Sequence, residues 1–257
     1  MKNIAVITGA SSGIGREFVY QIDRIAPQEK LDEIWVIARR RERLEELQAA
    51  CQTKICPLPL DLSEEEGIRS FSEKLAAEKP AVRFLVNAAG CGVFGPFKES
   101  DLDRQLNSLK INSLALIAMC RVCLPYMEKG DRIVNVGSNS SWQPVPYQSV
   151  YGASKACVLS FSRALGRELK PAGIHVMCVC PGWIKTEFQE NAKHDTYIRY
   201  VDRWYGPDEV AEQAMKDLKK KKTVSILGRP VRNQVRLVKF LPVDLVMNIW
   251  CKQQGIK

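Results

Sequence analysis

Seven short β-branched or apolar runs, alternating with amphipathic helical stretches, leave this chain few ways to fold. The runs are Asn3 to Thr8, Asp32 to Ala38, Lys54 to Leu60, Arg83 to Asn87, Arg132 to Ser138, Ile174 to Cys180 and Thr223 to Leu227. Helical spacing of apolar residues fills the gaps at about Ile14 to Ala26, Arg41 to Cys51, Glu64 to Glu78, Asp101 to Met127, Val150 to Lys170 and Pro207 to Lys219. Strands joined through helices must cross over, and right-handed crossovers put helices on both faces of the sheet. The expectation is an α/β fold built on a doubly wound parallel β-sheet of about seven strands. No Gly/Ser linker, composition break or internal repeat divides residues 1–230, which read as one domain, with 231–257 as a helical extension of it.

Composition narrows the class. Apolar residues make up 46% and charged residues 26% of 257 positions, a usage that excludes disordered and collagen-like chains. The longest nearly uncharged stretches, Ile111 to Cys120 and Phe240 to Cys251, fall short of the roughly 18 apolar residues that a spanning helix needs. The run after Met1-Lys2-Asn3 is too short for a signal core, so a cytoplasmic protein is expected. Nine cysteines, odd in number and scattered, fit a reducing compartment. Cys120 with Cys123 and Cys178 with Cys180 lie in helical and strand patterns, and only His175 and His194 could add imidazole. Both pairs read as buried apolar residues, and no metal is expected.

The net charge of +9 is unevenly placed: residues 216–257 hold eleven Lys/Arg and two Asp, which leaves residues 1–215 neutral. No nucleic-acid reader motif accompanies the basic tail.

Chemistry begins after the first strand. Thr8-Gly9-Ala10-Ser11-Ser12-Gly13-Ile14-Gly15 is a glycine-rich turn that opens a helix, the arrangement that brings backbone N–H groups and a helix N-terminus up to a pyrophosphate. The second strand ends in Ala38-Arg39-Arg40-Arg41 with no acid. An acid there would hydrogen-bond a ribose 2′-hydroxyl, whereas arginine accommodates a 2′-phosphate. Basic groups also oppose the dipole at a helix start, which favours an anionic ligand over a merely basic helix end. Further along, Tyr151-Gly152-Ala153-Ser154-Lys155 sets a phenol and an ammonium four residues apart on one helical face. A nearby ammonium and an oxidised nicotinamide ring both favour the phenolate, so a group with an ordinary pKa near 10 becomes usable at neutral pH.

These segments, with Asn87-Ala88-Ala89-Gly90, Asn112, Ser138 thirteen residues before Tyr151, and Pro181-Gly182-Trp183-Ile184-Lys185-Thr186, follow one another in the order found in short-chain dehydrogenases/reductases. Over about residues 1–227 the chain resembles the compact single-domain branch of that family. The resemblance implies a Rossmann-type sheet and an NADP(H)-dependent oxidoreductase that interconverts a secondary alcohol and a ketone. Tyr151 is implied as general acid and base, Lys155 as the group that lowers its pKa, Ser138 as hydrogen-bond donor to the substrate oxygen and Asn112 as the holder of a relay water. Gly9, Ser11, Ser12, Gly13, Ile14 and Gly15 are implied around the pyrophosphate and ribose, Arg39 and Arg40 at the 2′-phosphate, Asp61 and Leu62 at the adenine, and Asn87, Ala88 and Gly90 on the adenosine side. Pro181, Gly182, Ile184 and Thr186 are implied at the carboxamide. Tyr151 and Lys155 are implied to face the cofactor as well.

Two departures stand out. Gly137 occupies a position that is serine in many members, and the last strand lacks the Asp-Gly-Gly ending common in tetrameric ones. A homodimer or homotetramer is implied all the same, through the long helices from Asp101 and Val150. A lid is expected at about 187–206. Phe188, Tyr197, Tyr200, Trp204 and Tyr205 in it, with Phe94, Phe97, Trp142 and Tyr147 nearby, favour a bulky hydrophobic alcohol or ketone such as a hydroxysteroid or bile acid. A carbonyl reductase for small aldehydes or ketones, and a non-catalytic NADP(H)-binding regulator, are the alternatives. The tail, basic and apolar at helical spacing from Val231 to Leu241, is expected to fold back over the substrate mouth or a neighbouring subunit; peripheral membrane contact is the less favoured reading.

Overall fold

The computed structural model describes residues 1–192 and 197–256. Residues 193–196 of the expected lid, His194 among them, and Lys257 of the tail lie outside the described residues. The strands are β1 (Asn3–Thr8), β2 (Glu33–Ile37), β3 (Lys54–Leu58), β4 (Ala81–Asn87), β5 (Arg132–Val136), β6 (His175–Val179), β7 (Trp183–Ile184), β8 (Trp204–Tyr205) and β9 (Val224–Ser225). Seven of them form one parallel sheet in the order β3-β2-β1-β4-β5-β6-β9. The expected doubly wound sheet is therefore present, with the order reversing beside β1. In such a sheet the crevice opens beyond the carboxyl ends of the strands at that switch point.

Central strands buried on both faces read as continuous apolar runs. Ile4, Ala5, Val6 and Ile7 are fully buried, as are Ile34, Trp35, Val36 and Ile37. Alternate residues supply the two layers. Ala5, Ile7, Ile34 and Val36 pack with Phe18, Val19 and Ile22 of helix Gly13–Glu29. Ile4, Val6, Trp35 and Ile37 pack with Phe71 and Leu75 and with Leu116, Met119 and Cys123 from the helices of the other face.

Three boundaries differ from the sequence reading. The single helix from Asp101 to Met127 is in fact Leu102–Leu109, a π-turn Lys110–Leu114, Ala115–Cys123 and a 3-10 turn Leu124–Tyr126. The last strand shrinks to Val224–Ser225, because it pairs with β6 over only two residues at the sheet edge. Strands β7 and β8, which pair Trp183 with Trp204 and Ile184 with Tyr205, have no counterpart among the expected elements. Leu102–Tyr126 is long and apolar enough by composition to cross a membrane, yet Ala115, Leu116, Met119, Cys120 and Cys123 lie in the core against the sheet.

The tail folds back in two helices, Arg229–Leu237 and Val243–Gln254. Val231, Val235 and Val246 are buried, and Gln254 accepts backbone hydrogen bonds from Arg199 and Tyr200, both 2.9 Å.

Candidate active site

A cleft of about 580 Å³ opens at the carboxyl ends of β1, β4, β5 and β6. At one end lies the turn after β1. Thr8 Oγ1 accepts from the backbone N–H groups of Ala88 and Ala89, both at 3.1 Å, which locks that turn to the loop after β4. Gly9, Ser11, Ser12, Gly13, Ile14 and Gly15 line the cleft here. A methyl group on Gly15 would stand 2.2 Å from the Gly9 carbonyl oxygen, so only a bare backbone closes this cradle. With a helix N-terminus beneath and no side chain in the way, the turn fits the pyrophosphate of a dinucleotide.

The basic corner sits beside it. Arg40 donates to Ser11 Oγ (3.0 Å from Nη2) and Ser12 Oγ (2.9 Å), and its Nη1 meets Glu187 Oε2 at 2.7 Å. Arg43 pairs with the other oxygen of Glu187. Both hydrogen bonds hold the Glu187 carboxyl below its ordinary pKa. Arg39 lies further out, its side chain 73% exposed and 3.8 Å from Asp61. Asp61 and Leu62 also line the cleft. Arg43 and Glu187 had no part in the sequence reading. The i,i+3 spacing of Arg43 from Arg40 on a helix face could have suggested the former, whereas nothing in sequence places Glu187, 147 residues away.

At the other end Ser138, Tyr151 and Lys155 converge. Ser138 ends the strand side of the 3-10 turn Asn139–Trp142; its Oγ accepts from Ser140 N–H (3.1 Å) and donates to Asn139 Oδ1 (3.2 Å). Tyr151 and Lys155 lie one turn apart in helix Ser149–Glu168, with the Lys155 nitrogen 5.9 Å from the phenol ring centroid. That nitrogen donates to the Val136 carbonyl at 2.9 Å. Burial pushes the Tyr151 pKa up to about 12 against the smaller lowering by Ser138, and burial brings Lys155 down to about 8. The protein alone thus holds the phenol neutral, whereas the sequence reading lowered it on the strength of charges that include a bound nicotinamide.

Two of the expected residues stand behind the cleft wall. Asn87 is buried, and its amide donates to Asn135 Oδ1 at 2.9 Å and Cys120 Sγ at 3.3 Å, which ties β4 to β5. It does not reach the cleft, whereas Ala88 and Gly90 do. Asn112, fully buried at the π-turn, donates to the Cys91 carbonyl (2.9 Å) and Ser154 Oγ (3.0 Å) and accepts from Cys91 N–H (2.9 Å). Only Gly90 separates it from Lys155: a methyl group on Gly90 would lie 2.9 Å from Asn112 Oδ1 and 3.6 Å from Lys155 Nζ.

Pro181, Gly182, Ile184 and Thr186 line the roof. Phe94 and Phe188 pack on the Tyr151 ring, with centroids 5.6 and 5.5 Å away. Trp183 also lines the cleft, but Tyr205 belongs to the core and Trp142 lies in a separate basic groove with Arg163 and Lys239. Gly137 has a steric reason: a methyl group there would meet Cys178 Sγ at 2.9 Å and Ser141 Oγ at 3.2 Å. Cys178 of β6 and Cys180 just beyond its end, with their sulfurs 3.7 Å apart, occupy the volume that a serine would need.

Residues 3–196 match the family model described as short chain dehydrogenase. Among curated proteins, the chain is 32% identical over 243 residues to "Probable oxidoreductase EphD" of Mycobacterium tuberculosis, covering 88% of this chain but only 40% of that protein's length. It is 33% identical over 222 residues to an NADP-dependent 3-hydroxy acid dehydrogenase of Schizosaccharomyces pombe, covering 82% of this chain and 79% of the relative. A solved short-chain dehydrogenase from Sphingobium yanoikuyae in complex with NADPH superposes with a TM-score of 0.77 at 25% identity, covering 94% of this chain and 97% of that one. By sequence, sheet order and the placement of Tyr151 and Lys155 at the cleft, the chain belongs to the short-chain dehydrogenase family.

Proposed function

We propose that the protein is an NADP(H)-dependent oxidoreductase that interconverts a bulky hydrophobic ketone and its secondary alcohol. The convergence of Ser138, Tyr151 and Lys155 in one cleft with the glycine cradle carries this reading. When bound, the dinucleotide gives or takes the hydride. Ser138 donates a hydrogen bond to the substrate oxygen, and the Tyr151 hydroxyl beside it delivers the proton in reduction or receives it in oxidation. Lys155, held by the Val136 carbonyl, faces the phenol with a positive charge that stabilises the phenolate. With its pKa near 8 it can also pass a proton toward Asn112 and solvent near neutral pH. Asn112 keeps the loop at Cys91 in register and is the positioning group of this relay.

NADP(H) is favoured over NAD(H) by the basic corner, where Arg40 reaches both serines of the cradle and Arg43 stands beside it. Phe94, Phe188 and Trp183 near the phenol support this substrate class; a hydroxysteroid or bile acid has the size and apolarity for such a wall. We assign the physiological form to a homodimer or homotetramer, consistent with the exposed Leu102 and Leu106 on helix Leu102–Leu109 and Leu114 at the end of the π-turn.

The test is a panel of hydroxysteroids, aromatic ketones and small aldehydes followed by nicotinamide absorbance, with Tyr151→Phe in parallel. Turnover of the best substrate should fall by about 10² to 10⁴ in the variant while NADPH binding persists. Wild-type turnover in Tyr151→Phe removes that residue from the mechanism, and preference for small aldehydes overturns the substrate class.

A further inference from the structure

The C-terminal segment buries one apolar face against the body and leaves another exposed. On the inner side, Val231 and Val235 are buried from the first helix and Val246 and Gln254 from the second. The Trp250 indole donates to the Pro146 carbonyl at 3.0 Å and stacks on Trp183 with centroids 6.3 Å apart. The inner face is therefore satisfied. On the outer side, Leu237, Phe240, Val243, Leu245 and Ile249 are 57%, 85%, 54%, 45% and 44% exposed. These five belong to one helix-turn-helix of thirteen residues, and Phe240 projects from the turn itself.

Charge accompanies the apolar tip. On helix Arg229–Leu237, helical spacing puts Arg229, Arg236 and Leu237 on the face opposite Val231 and Val235. Lys239 follows in the turn, its nitrogen 4.4 Å from the Trp142 ring centroid. Of the two acids in residues 216–257, Asp217 is buried in a pair with Lys222, which leaves Asp244 as the exposed one.

A second copy of this segment would bring like charges together as its apolar residues met. A bilayer with anionic headgroups satisfies both halves: the basic side chains at the phosphates and the apolar ones at the acyl boundary. We propose that the turn between the two C-terminal helices docks on an anionic membrane surface, with Phe240, Leu237 and Val243 entering the headgroup boundary and Arg229, Arg236 and Lys239 facing lipid phosphates. The tail thus serves twice, because its inner face braces Trp183 in the cleft wall while its outer face holds the protein to lipid. If the substrate is hydrophobic, as the proposed function has it, such docking places the cleft beside the phase in which that substrate dissolves; the docking itself does not rest on that function.

The experiment is flotation of the full-length protein, without substrate or dinucleotide, with vesicles of phosphatidylcholine alone or mixed with phosphatidylglycerol. Binding should be confined largely to the anionic vesicles and weaken as salt is raised. Phe240→Ser with Leu237→Ser, and separately Arg229→Glu with Arg236→Glu, should each lower binding on the order of tenfold or more, with melting temperature and NADPH affinity unchanged. No flotation with anionic vesicles at low salt overturns the proposal, as does binding that neither pair affects. Loss of a defined oligomer in Phe240→Ser with Leu237→Ser, without vesicle binding by the wild type, assigns the patch to a second copy and also overturns it. Because no turnover is read, failure here is distinguishable from failure of the substrate panel.

Discussion

Two glycines that look equally motif-bound should respond in opposite ways to the same methyl group. Gly15, at the start of the helix after β1, has no room: its added carbon would stand 2.2 Å from Gly9 O, 2.7 Å from Gly9 C and 3.1 Å from Thr8 O. Carbon does not approach backbone that closely, so the turn must open by roughly 1 Å to reach van der Waals distance. Overpacking of this kind costs about 1 to 3 kcal/mol, and a displacement near 1 Å in a positioning element costs about 10²-fold in function. Gly15→Ala should therefore weaken NADPH binding by about 10²-fold and lower the melting temperature. Gly152, inside the Tyr151-to-Lys155 segment, has Val145 atoms at 3.9 Å as its nearest neighbours. Gly152→Ala should be neutral or stabilise helix Ser149–Glu168 by up to about 1 kcal/mol, with binding and turnover intact. Thermal melts and tryptophan-fluorescence titration with NADPH read both variants. Unchanged affinity and stability in Gly15→Ala would falsify the steric account of the cradle, and a damaged Gly152→Ala would mean that the motif glycine does something that the packing does not show.

Arg40→Ala should cost NADPH about 1.5 to 3 kcal/mol of binding while leaving NADH nearly untouched; equal losses for the two cofactors in paired titrations would show that Arg40 only braces the cradle. Glu33, buried, would be pushed upward by desolvation, but hydrogen bonds from Lys54, Trp35 and Lys2 outweigh that and hold its pKa at about 2, below the ordinary 4.5. A depressed carboxyl stabilises the fold above pH 4.5 and loses that contribution as pH falls toward 2. Glu33→Gln should thus be less stable by up to about 3 kcal/mol at pH 7, with the gap to wild type narrowing below pH 4.5 in denaturant melts; a gap independent of pH refutes the ionic account. Trp250→Ala removes the stack on Trp183 and the bond to Pro146, and should raise KM for a bulky ketone more than it lowers kcat. A change confined to kcat would detach Trp250 from substrate binding.

What could be read from the sequence was local chemistry repeated in order. The glycine turn, the arginines after β2 and the Tyr151-to-Lys155 spacing each act within one turn or one helix, so their geometry follows from backbone periodicity alone. The doubly wound parallel sheet was legible for the same reason, since alternation of strand and helix leaves few crossovers; its strand order is a finding of the structure. Asn87 was misplaced because a motif names a segment but not which of its side chains points back into the sheet. β-strand alternation turns the Asn87 side chain toward Asn135 and leaves Ala88 and Gly90 for the cleft. The π-turn at Lys110–Leu114 was invisible because its residues carry helical spacing throughout; Asn112 lies in it, with partners at Cys91 and Ser154 that come from other elements. Strands β7 and β8 are two residues long, below any periodicity that sequence can express.

The residues joining the two ends of the cleft are consecutive, and the middle one, Glu187, was the least legible. Thr186 faces the glycine cradle, its Cγ2 3.1 Å from where a methyl group on Gly13 would lie. Glu187 holds Arg40 and Arg43 across the basic corner. Phe188 covers the ring of Tyr151. A chain can turn successive side chains to three different partners only where it leaves regular structure, and this bend sits between β7 and the short helix Phe188–Asn191. Arg40 and Arg43 share the single carboxylate of Glu187, which offsets one of their two positive charges, and an anion that met them would compete with a carboxylate on the same segment that carries Phe188. The basic corner and the Tyr151 ring are consequently contacted by two residues joined through a single peptide bond, so a substitution of Glu187 or Phe188 is expected to disturb both contacts.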